Sequence, residues 1–256
     1  MIKLEHVVLA SPEQMDFIIE GMRNPLNSWK KSDSGIGCDI NLCTECGFKP
    51  QWCGYTDGHV LGPNDHSLMQ RLANAGTDHR KFMRMMPVYV RITAPLYFYK
   101  ELDTYKVGTV ANSCSTMHKI HEKEFTLEDF SCDHLLPAAV LGLQAMLDFM
   151  NTCREAYLET KDKKYWWQMI QLLPSSYNQT RNVMLNYEVL ANIYKSRKNH
   201  KLDEWCELCK WIETLPYSEL ICGSKPLNKA VMDKINDIGL VNPICPEEIR
   251  KILNKE

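Results

Sequence analysis

The 256-residue sequence has no apolar run approaching the ~18–20 residues that a bilayer-spanning helix needs, which excludes a transmembrane helix. It also lacks an excess of charge of either sign: 30 Lys and Arg against 32 Asp and Glu leave a formal net charge of −2. That balance gives no overall reason to expect a nucleic-acid polymer or an anionic membrane surface as partner. No secretory leader is expected, because the opening MIKLEHVVLASPEQ carries Lys3, Glu5 and His6 inside its apolar stretch. Without such a leader, 11 cysteines read as reduced thiols in a cytoplasmic setting, not as a disulfide framework. Internal repeats and low-complexity segments are missing as well.

What is present is an ordinary globular composition, 45% hydrophobic and 24% charged, enough for a single domain over residues 1–256. IKLEHVVLA alternates as a first strand with Ile2, Leu4 and Val7 facing inward. A helix follows, capped by Ser11 with Pro12 at its first position and Met15, Ile18, Ile19 and Met22 on one face. Residues 31–64, rich in Gly, Asp, Cys and Pro and without a period, read as a Cys-rich loop or small insertion. NDHSLMQRLANAGTD is a helix capped by Asn64 or Asp65 and stopped at Gly76, and MPVYVRIT is a strand. The second half is mostly helical. It holds a long apolar-faced helix from Leu135 to Thr160, a shorter one in KYWWQMIQLLP, and another long one in SYNQTRNVMLNYEVLANIYKSRKNH. DEWCELCKWIETL and two short helices, NKAVMDKIN and PEEIRKILN, complete it. The fold class is α+β: a mixed sheet of few strands with a predominantly helical second half.

Two groups of residues invite chemistry. Cys38, Cys43, Cys46 and Cys53 fall within sixteen positions, and Cys43-x-x-Cys46 has the spacing of a metal knuckle. Four thiolates would close a tetrahedral zinc site, with His59 and His66 as substitutes; free thiols are the plainer alternative. Cys206-x-x-Cys209 offers a second pair, although inside an amphipathic helix it reads as core. The second group is RITAPLYFYKELDTYKVGTVANSCSTMHKI, residues 91–120. Its strand leads through Pro95 into a polar helix-loop-helix dense in Lys, Asp, Asn, Ser and Thr. Such a segment presents side chains and backbone N–H groups to an anionic ligand; a solvated helix face with an Asn/Ser/Thr turn is the alternative.

The order of residues in this segment resembles the flavin-dependent thymidylate synthases, whose signature reads approximately RHRxxSxNExSxRY after an APxFxxRQW lead-in. Ala94-Pro95 matches the lead-in, Lys100-Glu101 stand for Arg-Gln, and Thr104-Tyr105-Lys106 stand for Arg-His-Arg. With one inserted residue, Thr109 and Asn112 meet the Ser and Asn, Ser113 replaces Glu, Ser115 meets the second Ser, and Met117-His118 replace Arg-Tyr. Downstream, Leu173-Pro174, Asn186-Tyr187-Glu188, Ser196-Arg197 and Leu202-Asp203-Glu204-Trp205 follow the order of the family's Leu-Pro, Asn-x-Arg, Leu-Arg and AQxE. NDHSLMQRLANAGTDH is similar to the helix preceding a flavin-contacting His and Ser. The likeness spans residues 64–215.

The resemblance implies a cytoplasmic homotetramer and a methyltransferase of nucleotide biosynthesis. It would convert dUMP to dTMP, a pyrimidine nucleotide methylated at C5, with methylenetetrahydrofolate, NADPH and FAD. It places Lys106, Arg197, Tyr105, His79 and Arg84 near the flavin. Lys100, Glu101, Asn112, Ser113 and Ser115 fall near the nucleotide, with Ser115, Cys114 and His118 as catalytic candidates. Cys114 would attack pyrimidine C6 as a thiolate if Lys106 or Lys119 lowered its pKa, the plainer reading being a small buried side chain; His118 would serve as a base. Met117 and Glu188 stand where the family's phosphate-gripping arginines stand, so the usual clamp is expected to be missing, with Lys119 or Arg181 in its place. The alternative is a non-catalytic nucleotide-binding or structural protein that keeps the fold without the reaction.

Overall fold

A computed structural model describes residues 2–36 and 58–223. They divide into two compact units, one from residues 2–10 and 83–216, the other from residues 11–36, 58–82 and 217–223. In chain order the elements are β1 (Lys3–Leu9), α1 (Pro12–Arg23), β2 (Gly35–Ile36), β3 (His59–Val60), α2 (Pro63–Asn74), β4 (Pro87–Pro95) and α3 (Leu96–Leu102). There follow β5 (Val110–Ser113), α4 (Pro137–Thr160), α5 (Lys163–Leu172), β6 (Asn178–Asn186), α6 (Tyr187–Arg197), α7 (Asp203–Ile212) and α8 (Glu219–Cys222).

The first unit is built on a four-stranded sheet in the order β1-β4-β6-β5. Every residue of β4 faces one of β6, from Pro87 opposite Asn186 to Pro95 opposite Asn178. Val88, Val90, Ile92 and Ala94 are buried at every second position, while Tyr89 between them is exposed, which is the period of a half-buried strand. The α+β class stands. Where a mixed sheet was expected, every pairing among the described residues is antiparallel.

Three expectations change here. The long helix expected over SYNQTRNVMLNYEVLANIYKSRKNH is a strand followed by a helix. Residues Asn178–Asn186 bond β4 on one side and β5 on the other, and these two ladders satisfy their backbone groups more fully than a helix end would. Asn186 makes the change of direction: its backbone is extended (φ −143°, ψ 164°) and its Oδ1 accepts from the Val189 amide at 3.0 Å, capping α6. Second, residues 110–113 form strand β5 within the segment expected to be a helix-loop-helix. Third, Val7 is 39% exposed, because β1 bulges between Glu5 and Val8, with His6 at φ 50°, and the alternation slips.

Helices cover the inner face. Phe98 and Tyr99 of α3, Leu190 and Ile193 of α6 and Trp205 of α7 are fully buried, and the Phe98 and Trp205 ring centroids lie 4.5 Å apart. A second cluster joins Leu147 and Met150 of α4 to Met169 of α5, Phe125 and Phe130. No helix among the described residues is long and apolar enough to cross a membrane.

The second unit holds α1, β2, β3, α2 and α8. In α1, Ser11 and Gln14 form a reciprocal capping box, and Met15, Ile18, Ile19 and Met22 are buried as expected. The cap of α2 comes from elsewhere in the chain. Asp33 accepts from the amides of Asn64 (2.8 Å) and Asp65 (3.0 Å), which leaves Asp65 to point inward instead of capping. Gly62 is required for this approach, since a Cβ there would lie 2.2 Å from the Asp33 side chain. Asp65 is fully buried and accepts from Arg23 Nε (2.5 Å), both Ser32 and Ser34 hydroxyls (2.7 Å each) and the amides of Asp33 (3.0 Å) and Ser34 (3.1 Å). The two helices expected near the C-terminus lie outside the described residues.

Two stability predictions follow from these contacts. Burial disfavours the Asp65 carboxylate, but the serine hydroxyls, the Arg23 guanidinium and the Asp33 amide outweigh it and hold the group below its ordinary range. A depressed folded-state pKa stabilises above the unfolded value of about 3.9 and loses that contribution as pH falls through the folded value. Asp65→Asn is therefore expected to destabilise at neutral pH by about 3–5 kcal/mol, leaving Arg23 uncompensated, and to flatten the acid limb of a pH series of urea melts. Asn186→Ala, which removes the cap acceptor of α6, is expected to cost about 1–2 kcal/mol in the same melts.

Candidate functional site

The polar segment singled out in the sequence folds against the end of the sheet in the first unit. The last turn of α3 and the loop after it, strand β5 and the inner face of β6 enclose a cleft of about 550 Å³. Leu102, Asp103, Tyr105, Lys106, Arg181 and Val183 are among its walls. Asn186 holds the loop in place by donating its amide to the carbonyls of Val107 (2.9 Å) and Gly108 (3.4 Å), and Thr109 donates its hydroxyl to Tyr105 O (2.8 Å). Gly108, at φ +67°, has the Asn186 amide 3.0 Å from where a Cβ would sit. The cap that starts α6 thus also shapes the cleft. Lys106 is exposed and makes no ion pair among the described residues.

Arg181 occupies an inward position of β6, opposite Ile92. Its guanidinium stacks 3.8 Å from the centre of the Tyr99 ring, donates through Nε to Gln179 Oε1 (2.8 Å) and through NH1 to Asp103 Oδ1 (2.8 Å). Tyr99 donates to the carbonyls of Ile92 (2.7 Å) and Gln179 (3.0 Å), and burial pushes its hydroxyl well above the usual tyrosine range. Gln179 in turn donates to Cys114 O at 2.7 Å. Tyr99, Gln179 and Asp103 received no role from the sequence. Two polar residues at alternate inward positions of a strand were the available signal, and it was hidden while that stretch read as helix.

A second cluster surrounds Arg197. Its NH1 lies 2.7 Å from Glu101 Oε2 and its Nε donates to the Tyr105 hydroxyl at 3.0 Å, with the guanidinium 5.0 Å from the Trp205 ring. His200 accepts at Nδ1 from the Leu202 amide (3.2 Å), which leaves Nε2 to carry its proton toward Glu101, 3.6 Å away. Glu101, Tyr105 and Arg197, separated by up to 96 positions in the chain, come together in this cluster. Lys100 lies exposed in the last turn of α3.

At Glu188, where the resemblance places a clamp arginine, there is an ion pair. Glu188, 3% exposed, accepts from Arg84 Nε and, at 3.3 Å, from Arg84 NH2, while Arg84 is 43% exposed. Arg84 is therefore engaged by a carboxylate where the sequence placed it beside a flavin. Lys119, offered as a replacement clamp, lies on the surface paired with Glu122 at 2.5 Å. Met117 is 44% exposed, its carbonyl held by the Trp166 indole N–H at 3.1 Å.

The catalytic candidates form an exposed turn. Ser115 Oγ accepts from the amides of Met117 (3.3 Å) and His118 (2.9 Å), and Asn112 and Ser113 lie on the outer strand β5. Cys114, expected buried if inert, is exposed, because its carbonyl and amide bond inward to Gln179 and Thr180 and turn the side chain out. His79 is exposed in the second unit, in the turn after α2.

Cys38, Cys43, Cys46 and Cys53 lie outside the described residues, and no group of three or more His, Cys, Asp or Glu able to hold a metal occurs among those that are described. The proposed substitutes are engaged elsewhere, His59 with Asp16 (2.9 Å) and His66 with Glu219 (2.6 Å). Zinc is thus without support here. Cys206 and Cys209 sit in α7, Cys209 buried and Cys206 donating to His200 O, as core cysteines do.

Comparison of the backbone with solved structures finds similar folds, among them two with TM-scores above 0.5. One is thymidylate synthase X (ThyX) from Helicobacter pylori with FAD and dUMP, at TM-score 0.59 and 16% identity, covering 87% of this chain and 96% of that one. The other is a structure of the same enzyme complexed with FAD and dUMP, at TM-score 0.56 and 17% identity, covering 89% and 99%. The chain has the fold of the flavin-dependent thymidylate synthases. A UMP/dUMP methylase, PolB from Streptomyces cacaoi, matches at TM-score 0.49 and 11% identity over 84% of this chain and 88% of that one. No protein-family model and no curated protein matches the sequence. The resemblance read from residues 64–215 is borne out as a fold.

The unequal exposure of Arg84 and Glu188 sets a direction. Arg84→Ala, which removes a cationic partner of a buried carboxylate, is expected to destabilise by about 1.5–3 kcal/mol in denaturant melts, and Glu188→Gln by less, because the guanidinium it releases is open to water.

Proposed function

We propose that this chain is a diverged flavin-dependent thymidylate synthase-like enzyme that binds a pyrimidine nucleotide in the cleft between α3, β5 and β6 and acts at its C5. The observation that carries this is a coincidence of position. The segment whose residue order resembles the family signature is the segment that walls the cleft, on a backbone with the family's fold. The cleft's volume lies within the range of small-molecule sites, with apolar walls for a ring and a few polar groups to orient it.

The donor set suits a flavin. Arg197 is held in a fixed plane by Glu101 and the Tyr105 hydroxyl, Tyr105 is a half-buried aromatic beside it, and Lys106 brings an ammonium without an ion pair among the described residues. These groups would hold FAD, which supplies hydride for reduction of the methylene group taken from a folate, NADPH being the source of reducing equivalents. In this reading Arg197 and Tyr105 orient the cofactor, Lys106 meets a phosphate, and the Ser115 turn, with Cys114 and His118, lines the nucleotide side. A homotetramer and a cytoplasmic location belong to the same reading.

A second reading is favoured by one specific observation, the engaged Arg84–Glu188 pair at the clamp position. There the fold is kept as a nucleotide-binding protein and the reaction is lost. Two measurements on the purified chain decide between them. Retention of the oxidised-flavin visible band after incubation with FAD and desalting, together with tritium release from 5-tritiated dUMP under reducing, folate-supplied conditions, is the outcome expected of the enzyme. Saturable dUMP binding without tritium release supports the second reading, and neither binding nor release rejects both. Lys106→Gln is expected to weaken nucleotide or flavin binding by about tenfold, the scale of one partly solvated charge-assisted hydrogen bond.

A further inference from the structure

The three ion pairs around the site differ in which partner is buried. At Arg84–Glu188 the acid is buried and the base open, whereas at Arg181–Asp103 the guanidinium is 14% exposed and the carboxylate 52% exposed. Arg181 is anchored independently of Asp103. The face of its guanidinium rests on Tyr99 and its Nε on Gln179, residues that are 1% and 6% exposed and are themselves fixed by hydrogen bonds to backbone. Its NH1 edge points to Asp103, the residue just beyond the end of α3, at the wall of the cleft that also carries Lys106. A fixed guanidinium edge and a nearby ammonium on one cleft, with a solvent-accessible carboxylate lying on the guanidinium, is the arrangement of an anion site with its own occupant.

We propose that Asp103 is an internal placeholder for the phosphate of the bound nucleotide. On binding, the phosphomonoester takes the NH1 edge of Arg181 and Asp103 turns out to water. The exchange makes Arg181 and Asp103 specificity-determining. A nucleoside without a phosphate gains nothing by displacing Asp103, whereas a phosphomonoester replaces one carboxylate contact with a more highly charged one. Displacement of a half-solvated carboxylate is inexpensive, and loss of its contact leaves Arg181 still held on two sides. This inference rests on the reading that the cleft binds a pyrimidine nucleotide.

The test is equilibrium binding of dUMP and of deoxyuridine to the full chain and to Asp103→Asn, Arg181→Gln and the double variant, each checked for folding by thermal melt. Asp103→Asn is expected to bind dUMP about tenfold more tightly and deoxyuridine equally well, because only the phosphate competes with the carboxylate. Arg181→Gln is expected to weaken dUMP by a similar factor and, in the double variant, to abolish the gain. Asp103→Ser gives the same expectation should the Asn variant fold poorly. If the chain binds dUMP but neither Asp103 variant binds it more tightly, the placeholder is rejected and the cleft reading stands. If the chain binds neither dUMP nor deoxyuridine, the cleft reading falls and the placeholder with it.

Discussion

The ladder between β4 and β6 is the constraint on which the first unit depends. Nine residues of each strand pair without interruption, so the position of Pro95, where α3 begins, and of Asn186, where α6 begins, are fixed against one another through the same register. A single side chain then links the two ends of the cleft. Asn186 closes the strand, caps the helix and donates to the loop carbonyls of residues 107 and 108. With its carboxamide fully used and the residue 2% exposed, it has no latitude, and neither does the loop it holds. The wall carrying Lys106 is therefore set by the sheet and not by the loop's own sequence.

The same register forces polar groups onto the inner face. Gln179 and Arg181 lie opposite Ala94 and Ile92, where aliphatic residues would pack at no electrostatic cost. Burying them without partners would cost several kcal/mol, so their surroundings are dedicated to satisfying them. Tyr99 provides a ring face for the guanidinium and a hydroxyl for two carbonyls, and the Gln179 amide reaches Cys114 O. A polar network of this extent at the edge of an apolar core stabilises less than well-packed aliphatic side chains do. Its presence is better explained by what it holds toward the cleft than by its contribution to the fold.

Much of this was legible in the sequence, and the failures have physical causes. The amphipathic helices α1, α2, α4, α5 and α7 were readable because a one-sided apolar face carries its own period. Strand β6 was not, because only Val183, Met184 and Leu185 of its nine residues are apolar, too few to show a period, and its state is decided by the two neighbours it bonds. The cap of α2 was also beyond local reading, since Asp33 reaches it across about 30 positions of chain. The candidate residues were visible as types, but their engagement was not. Nothing in the spacing of Arg84, Arg181 and Arg197 announces that each meets a carboxylate from another element. Cys114 was misjudged as buried because exposure in a turn depends on which way the backbone bonds turn it.

Those pairings bear on the proposed reading. Glu188, where the resemblance places a guanidinium, faces the guanidinium of Arg84, so the two charges compensate one another. Locally the net charge of the pair is zero, and a dianionic phosphate gains nothing there. The remaining uncompensated cation on the cleft among the described residues is Lys106, and the remaining guanidinium with a displaceable partner is Arg181. Because Coulomb attraction in a partly desolvated cleft weakens steeply with distance and with each compensating charge, the proposed reading assigns anion recognition to where these two groups lie. In that reading the cleft, of a volume that suits a nucleotide, offers anionic groups two cations, one exposed, the other fixed by Tyr99 and Gln179.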